Sequence, residues 1–157
     1  PIAALTMSGI ILQTQGDLNQ ARKRFEDVLA IDPRAAVAAN NLAWIQAEAG
    51  ENLDVALQLA QTAAAVSPDT PEISHTLGWI YLKKKLPQLA IPQFARSVEK
   101  SPGTALFHYH LGLAYLQSGE ANLGRASLQR ALAANPDPTV AADVKRALES
   151  EAAQARK

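Results

Sequence analysis

Catalysis or metal binding would have to start from histidine, cysteine, hydroxyl or carboxylate side chains, and this chain offers few of them in workable patterns. Its three histidines are His75, His108 and His110, and it has no cysteine. His108 and His110 are two positions apart, so on a helix their rings point in different directions and cannot hold one ion. The missing thiols remove disulfides, thiol catalysis and thiolate metal sites together. No Ser/His/Asp order and no glycine-rich phosphate loop occurs. Glu26 and Asp27 lie beside Arg22, Lys23 and Arg24, which predicts i,i+3 and i,i+4 ion pairs on a solvated helix face rather than an acid–base pair. No enzyme, cofactor or metal site is expected. The remaining chemistry is recognition, and its best carriers are the two tryptophans, Trp44 and Trp79, a residue type enriched where proteins bind partners.

Charge narrows the partner. Fifteen Lys and Arg balance fifteen Asp and Glu over 157 residues, so no global field favours nucleic acid or an anionic membrane. The halves differ: residues 1–70 carry four basic against eight acidic side chains, and residues 71–157 carry eleven against seven. No apolar run approaches the roughly 18 residues that span a bilayer, so direct membrane insertion is not expected. The chain opens at Pro1 without an initiating Met, a basic leader or a signal-like segment, and it reads as an excised piece of a longer protein.

What must position the tryptophans is a repeat. Pro33, Pro68, Pro102 and Pro136 are separated by 35, 34 and 34 residues, and Gly9, Ala43, Gly78 and Gly112 by 34, 35 and 34. A period of this length marks stacked structural units. In the third unit, Pro71 and Glu72 suit a helix start, and Ile73, Leu77, Ile80 and Tyr81 follow at helical spacing. Gly78 sits in that stripe, where its role is to let a second helix come close. The second helix carries Leu89, Ala90, Phe94 and Val98 and stops before Ser101-Pro102. Pro92 falls inside it, so this helix is expected to start late or kink. Its preceding turn, Lys83 to Leu86, lacks the glycine present at Gly16, Gly50 and Gly119.

Leu77, Gly78, Tyr81, Ala90, Phe94 and Pro102 match the L-G-x2-Y, A-x3-F, P pattern of the tetratricopeptide repeat, and this is the family the chain resembles. The fourth unit repeats it as Leu111, Gly112, Tyr115, Gly124, Leu128 and Pro136. The first gives Gly9, Leu12, Ala21, Phe25 and Pro33. The second is weaker, with Leu42, Ala43, Ala56, Ala60 and Pro68 and one extra residue in the turn after Gly50. The family's early tryptophan is absent: Leu5, Ala39, Ser74 and His108 stand there. The resemblance implies an all-α, right-handed superhelical α-solenoid of four helix-turn-helix repeats, at residues 2–35, 36–70, 71–104 and 105–138. A capping helix over 139–156 closes this single domain, with Val140, Val144 and Leu148 turned inward and Asp143, Lys145, Arg146, Glu149 and Glu151 elsewhere.

In such arrays the first helix of each pair lines a concave groove, and the resemblance implies the same here. Ile10, Trp44, Trp79 and Leu113 are then expected to face the groove, flanked by Asn40, His75 and Tyr109 one turn earlier. Leu82 lies one turn later, with Met7, Asn41 and His110 alongside. Two readings of the tryptophans stay open: rings filling the wedge between neighbouring repeats, or anchors for a bound apolar or aromatic peptide or helix, with Asn40, Asn41 and His75 supplying hydrogen bonds. Two-carboxylate clamping, as in chaperone-binding members, is not expected. The clamp places hold Thr6, Ile10, Asn41, Glu72 and Thr76, or Trp44, Thr76, Leu106 and His110 when counted from the second repeat.

The expected function is a non-catalytic scaffold holding a protein or peptide partner. The alternative is a spacer that self-associates, even as a homodimer, through an uncapped, apolar first helix. The runs NNLAW (40–44), HTLGW (75–79) and YHLGLAY (109–115) are similar to bacterial arrays in large lipoproteins of exopolysaccharide export and protein sorting. That likeness implies a periplasmic location, and a cytoplasmic relative would read the same way.

Overall fold

A computed structural model describes residues 1–157 as nine α-helices and no strand. They are α1 (Ile2–Thr14), α2 (Leu18–Ile31), α3 (Ala36–Ala49), α4 (Leu53–Val66), α5 (Pro71–Lys83), α6 (Pro87–Lys100), α7 (Ala105–Gln117), α8 (Ala121–Ala133) and α9 (Pro138–Ala155). The first eight form four hairpins and α9 follows them, which makes the fold an α-solenoid. Each helix touches only its chain neighbours and, for α1, α3, α5, α7 and α9, the next helix of that series. The second helices α2, α4, α6 and α8 do not approach one another. A stack closed on one side and splayed on the other is curved, so the first helices line its inner face.

Small residues set the closeness of each hairpin. A Cβ on Gly9 would sit 2.6 Å from the Phe25 ring, one on Gly78 2.7 Å from the Phe94 ring, and one on Gly112 2.9 Å from Leu128. Phe25, Phe94 and Leu128 are fully buried. In the second hairpin both sides change together: Ala43 replaces glycine where Ala60 replaces the large side chain, and the two share one core cluster. Large-against-small pairing in three units, and a matched alanine pair in the second, thus keep the interhelical gap filled.

The turns reuse one backbone device. Gly16 and Gly119 adopt left-handed conformations at φ +83° and +86°, and Lys85 stands in the same place at φ +62°. The glycine missing from the third turn is therefore missing only as a residue type, and the conformation persists at some strain. In the second turn Gly50 is left-handed at φ +68°, and the extra residue is absorbed by Asn52 at φ +44°. Helix starts use the expected signals: Pro71 is the first residue of α5, and Asp137 caps α9 by accepting from the Val140 amide at 2.9 Å.

Three expectations change. The sixth helix does not start late: Pro87 is its first residue, and it continues through Pro92 to Lys100. Pro92 and Gln88 are both exposed, so water can reach the carbonyl that proline leaves without a donor. Glu151 does not point outward: it is buried and takes a two-pronged bond from Arg125 of α8, at 2.6 and 3.0 Å. That bond holds the Glu151 carboxyl below the usual carboxylate range and raises the Arg125 guanidinium. Arg22 bonds Glu51 in the next hairpin at 2.9 Å rather than a neighbour on its own helix, whereas Arg24 and Asp27 do pair locally.

Candidate functional site

The inner wall is built where α3, α5 and α7 run side by side. Trp44 of α3 and Trp79 of α5, both half-buried, stack with ring centroids 6.0 Å apart and planes 28° apart. Trp79 lies face to face on His110 of α7, with centroids 4.1 Å apart and planes 14° apart, and Trp44 lies 5.2 Å from His75. The Trp79 indole N–H donates to Glu48 Oε1 of α3 at 2.6 Å, and Lys83 Nζ sits 4.9 Å from the Trp79 ring centroid. Both indoles thus bridge neighbouring first helices while keeping part of their surface in solvent.

Beneath them, His75 Nε2 and His110 Nδ1 are 2.7 Å apart. The rings are nearly coplanar, 5° apart with centroids at 4.9 Å, so they meet edge to edge through one N–H···N bond. One nitrogen donates and the other accepts, so the accepting ring must be neutral and the two rings cannot both be charged. Burial pushes His75 down from 6.5 to about 3. It also holds His110 well below its ordinary value, with the charges of His75 and Lys83 adding to the effect. Phe94 and Phe107 pack against His75 at 5.7 and 4.8 Å. His108 turns the other way and donates Nε2–H to the Pro102 carbonyl at 2.6 Å, tying down the loop before α7.

Two clefts flank the tryptophans. The first, about 410 Å³, lies towards the start of α5 and α7 and is lined by Asn40, Asn41, Trp44, Glu72, Thr76 and Phe107 among others. The second, about 320 Å³, lies between the ends of α5 and α7 and is lined by Trp79, Leu82, Lys83, Lys85, Leu113 and Gln117. Asn41 already donates its side-chain amide to the Val37 carbonyl at 2.8 Å, whereas Asn40 Oδ1 is buried with no partner in the chain.

The groove expected from sequence is thus only partly assembled from the named residues. Asn40, Asn41, Trp44, Trp79 and Leu113 lie along it. His75, His110 and Leu82 are buried, at 5, 5 and 8% exposure. They form its floor, in the seam between neighbouring first helices. Met7 and Ile10 line a separate, largely apolar cleft of about 460 Å³ with Ile2 and Val37. Tyr109 packs towards α9 in the cluster of Leu128 and Val144, and burial and Asp143 raise its phenol. Sequence reasoning missed Glu48, Lys83, Lys85, Gln117 and the histidine pair. The pair was findable in principle: His75 lies three residues before Gly78 and His110 two before Gly112, and such offset positions meet across adjacent first helices.

The tetratricopeptide repeat family model matches residues 6–71, 48–105 and 75–138. The chain belongs to the tetratricopeptide repeat family. No curated protein gives a significant match. Among solved structures, the array superposes on the thermophilic repeat protein TTC0263 of Thermus thermophilus with a TM-score of 0.81 and 23% identity, covering 96% of this chain and 81% of that one. MamA of Desulfovibrio magneticus gives 0.73 and 19%, covering 86% and 76%. An O-GlcNAc transferase variant of Thermobaculum terrenum gives 0.76 and 23%, covering 83% of this array but only 25% of the enzyme. At these identities the likeness concerns the fold. Tetratricopeptide solenoids are interaction scaffolds whose curvature creates extended concave surfaces. No helix of this one is long and apolar enough to cross a membrane.

Proposed function

We propose that this array is a non-catalytic scaffold that holds an extended or helical segment of a protein partner against the inner face of α3, α5 and α7. The observation that carries the reading is the half-exposed Trp44–Trp79 stack between two clefts lined mainly by first helices. The indoles both brace the repeats and present aromatic surface, so the two readings of these residues combine. Rigid aromatic rings lose little conformational freedom on binding, which suits them to anchor a partner. Asn40 and Asn41 line the first cleft and supply the side-chain amides that orient the segment. The repeats serve as one unit over residues 2–138, with 139–156 as the cap.

The test selects peptides from a displayed random library on the folded array and measures them against Trp44→Ala, Trp79→Ala and, on the outer helix α6, Leu89→Ser. Affinity falling roughly tenfold or more for the tryptophan variants, with circular dichroism unchanged and Leu89→Ser silent, supports the groove. Loss confined to Leu89→Ser overturns it.

A second reading rests on α1, which carries no charged residue and exposes Met7 and Ile11 at 58 and 49%. Such a face suits pairing with a second copy of the chain. Light scattering that reports a dimer for the wild type and a monomer for Met7→Glu/Ile11→Glu would support it. A monomer throughout at high concentration would reject it.

A further inference from the structure

The geometry points to an acidic-flanked apolar stretch of a protein as the occupant of the cleft at the ends of α5 and α7, with Lys83 and Lys85 receiving its carboxylates. This deepens the groove reading and rests on it. The floor is apolar: Trp79, Leu82 and Leu113. The rim is cationic, because Lys83 and Lys85 line the cleft and neither is in an ion pair, whereas Lys84 between them is bound to Asp54. No carboxylate lines this cleft. The nearest on the same wall, Glu48, is already engaged by the Trp79 indole N–H, and the neighbouring cleft has the opposite character, with Glu72 and no cation.

Two features place the charges for such a ligand. Lys83 Nζ lies 4.9 Å from the Trp79 ring centroid, so an apolar side chain seated against that indole would bring an adjoining carboxylate beside the ammonium. Lys85 occupies the left-handed turn position, at φ +62°, that is glycine at Gly16 and Gly119. A side chain stands there despite a backbone preference against it, and that side chain borders the cleft. The apolar floor and the presence of only two lysines favour a peptide over a phosphate backbone, which would also meet Glu48 and Glu72 on the wall.

The probe is a fluorescein-labelled peptide with a Leu-Phe pair flanked on each side by two glutamates, set against the same peptide with lysines for glutamates. It is titrated into the whole chain by anisotropy at low and high salt, with a mixed-sequence single-stranded oligonucleotide in parallel. Binding of the acidic peptide alone, weakened by salt and roughly tenfold by Lys83→Gln/Lys85→Gln with circular dichroism unchanged, supports the inference. Equal binding of the basic peptide, tighter binding of the oligonucleotide, or an affinity unmoved by the double variant overturns it. In those cases a loss on Trp79→Ala would leave the groove reading standing. No binding of the acidic peptide at concentrations on the order of 1 mM overturns the inference while the library selection still judges the groove.

Discussion

At the residue scale the histidine pair has the clearest energetic consequence. His75 and His110 are buried, neutral and bonded to each other, and their folded-state values lie below the ordinary 6.5, at about 3 for His75. The unfolded chain therefore binds protons that the folded chain refuses, so stability present above pH 6.5 is lost as the pH falls from there towards 3. At pH 5 the loss from His75 approaches about 2 kcal/mol, and His110 acts in the same direction. Urea midpoints measured at pH 7.5 and pH 5 should differ accordingly. The double variant His75→Phe/His110→Phe should flatten that difference even if it lowers stability at neutral pH.

At the element scale, the hairpins depend on a glycine facing a large buried side chain. Gly78→Ala would push a methyl group 2.7 Å from the Phe94 ring. Phe94 has no free space to yield, being fully buried, so the substitution should destabilise by roughly 1–3 kcal/mol. Adding Phe94→Leu should recover part of that loss, because the second and fourth hairpins already close around smaller pairs. A double-mutant cycle from denaturant midpoints measures the coupling; strict additivity would show that the contact is not the cause.

At the scale of the whole molecule, contacts run only between neighbours, so stability is a sum of repeats and interfaces. Helix α1 is covered by α2 and α3, and α9 by α7 and α8, each on one side only. Amide hydrogen exchange should therefore be fastest in α1 and α9 and slowest in the helices around His75 and Phe94. Glu151→Gln, which removes the charge that Arg125 holds, should speed exchange in α9 and leave α3 to α5 unchanged. A uniform rise along the chain would mean that the solenoid unfolds as one unit.

Much of this was legible in the sequence, for identifiable reasons. A period of 34–35 residues and the recurring spacing between the small residue of one helix and its facing residue on the next are local facts, and local facts determine hairpins, their closeness and the family. The tryptophans could be placed on the inner wall because their position in the repeat carries over from one unit to the next. Lys85 in a glycine's place, Pro92 inside α6 and Glu151 on an apparently solvated face were harder, because each has a neighbour in space that the local pattern does not name. The tertiary structure alone decided what lies between repeats: His75 against His110, Trp79 against Glu48, Arg125 against Glu151. Periodicity says which residues share a helix face, but the offset at which one face slides against the next follows from packing volume and hydrogen bonding across the seam. That offset buried the histidines and left two lysines beside an indole.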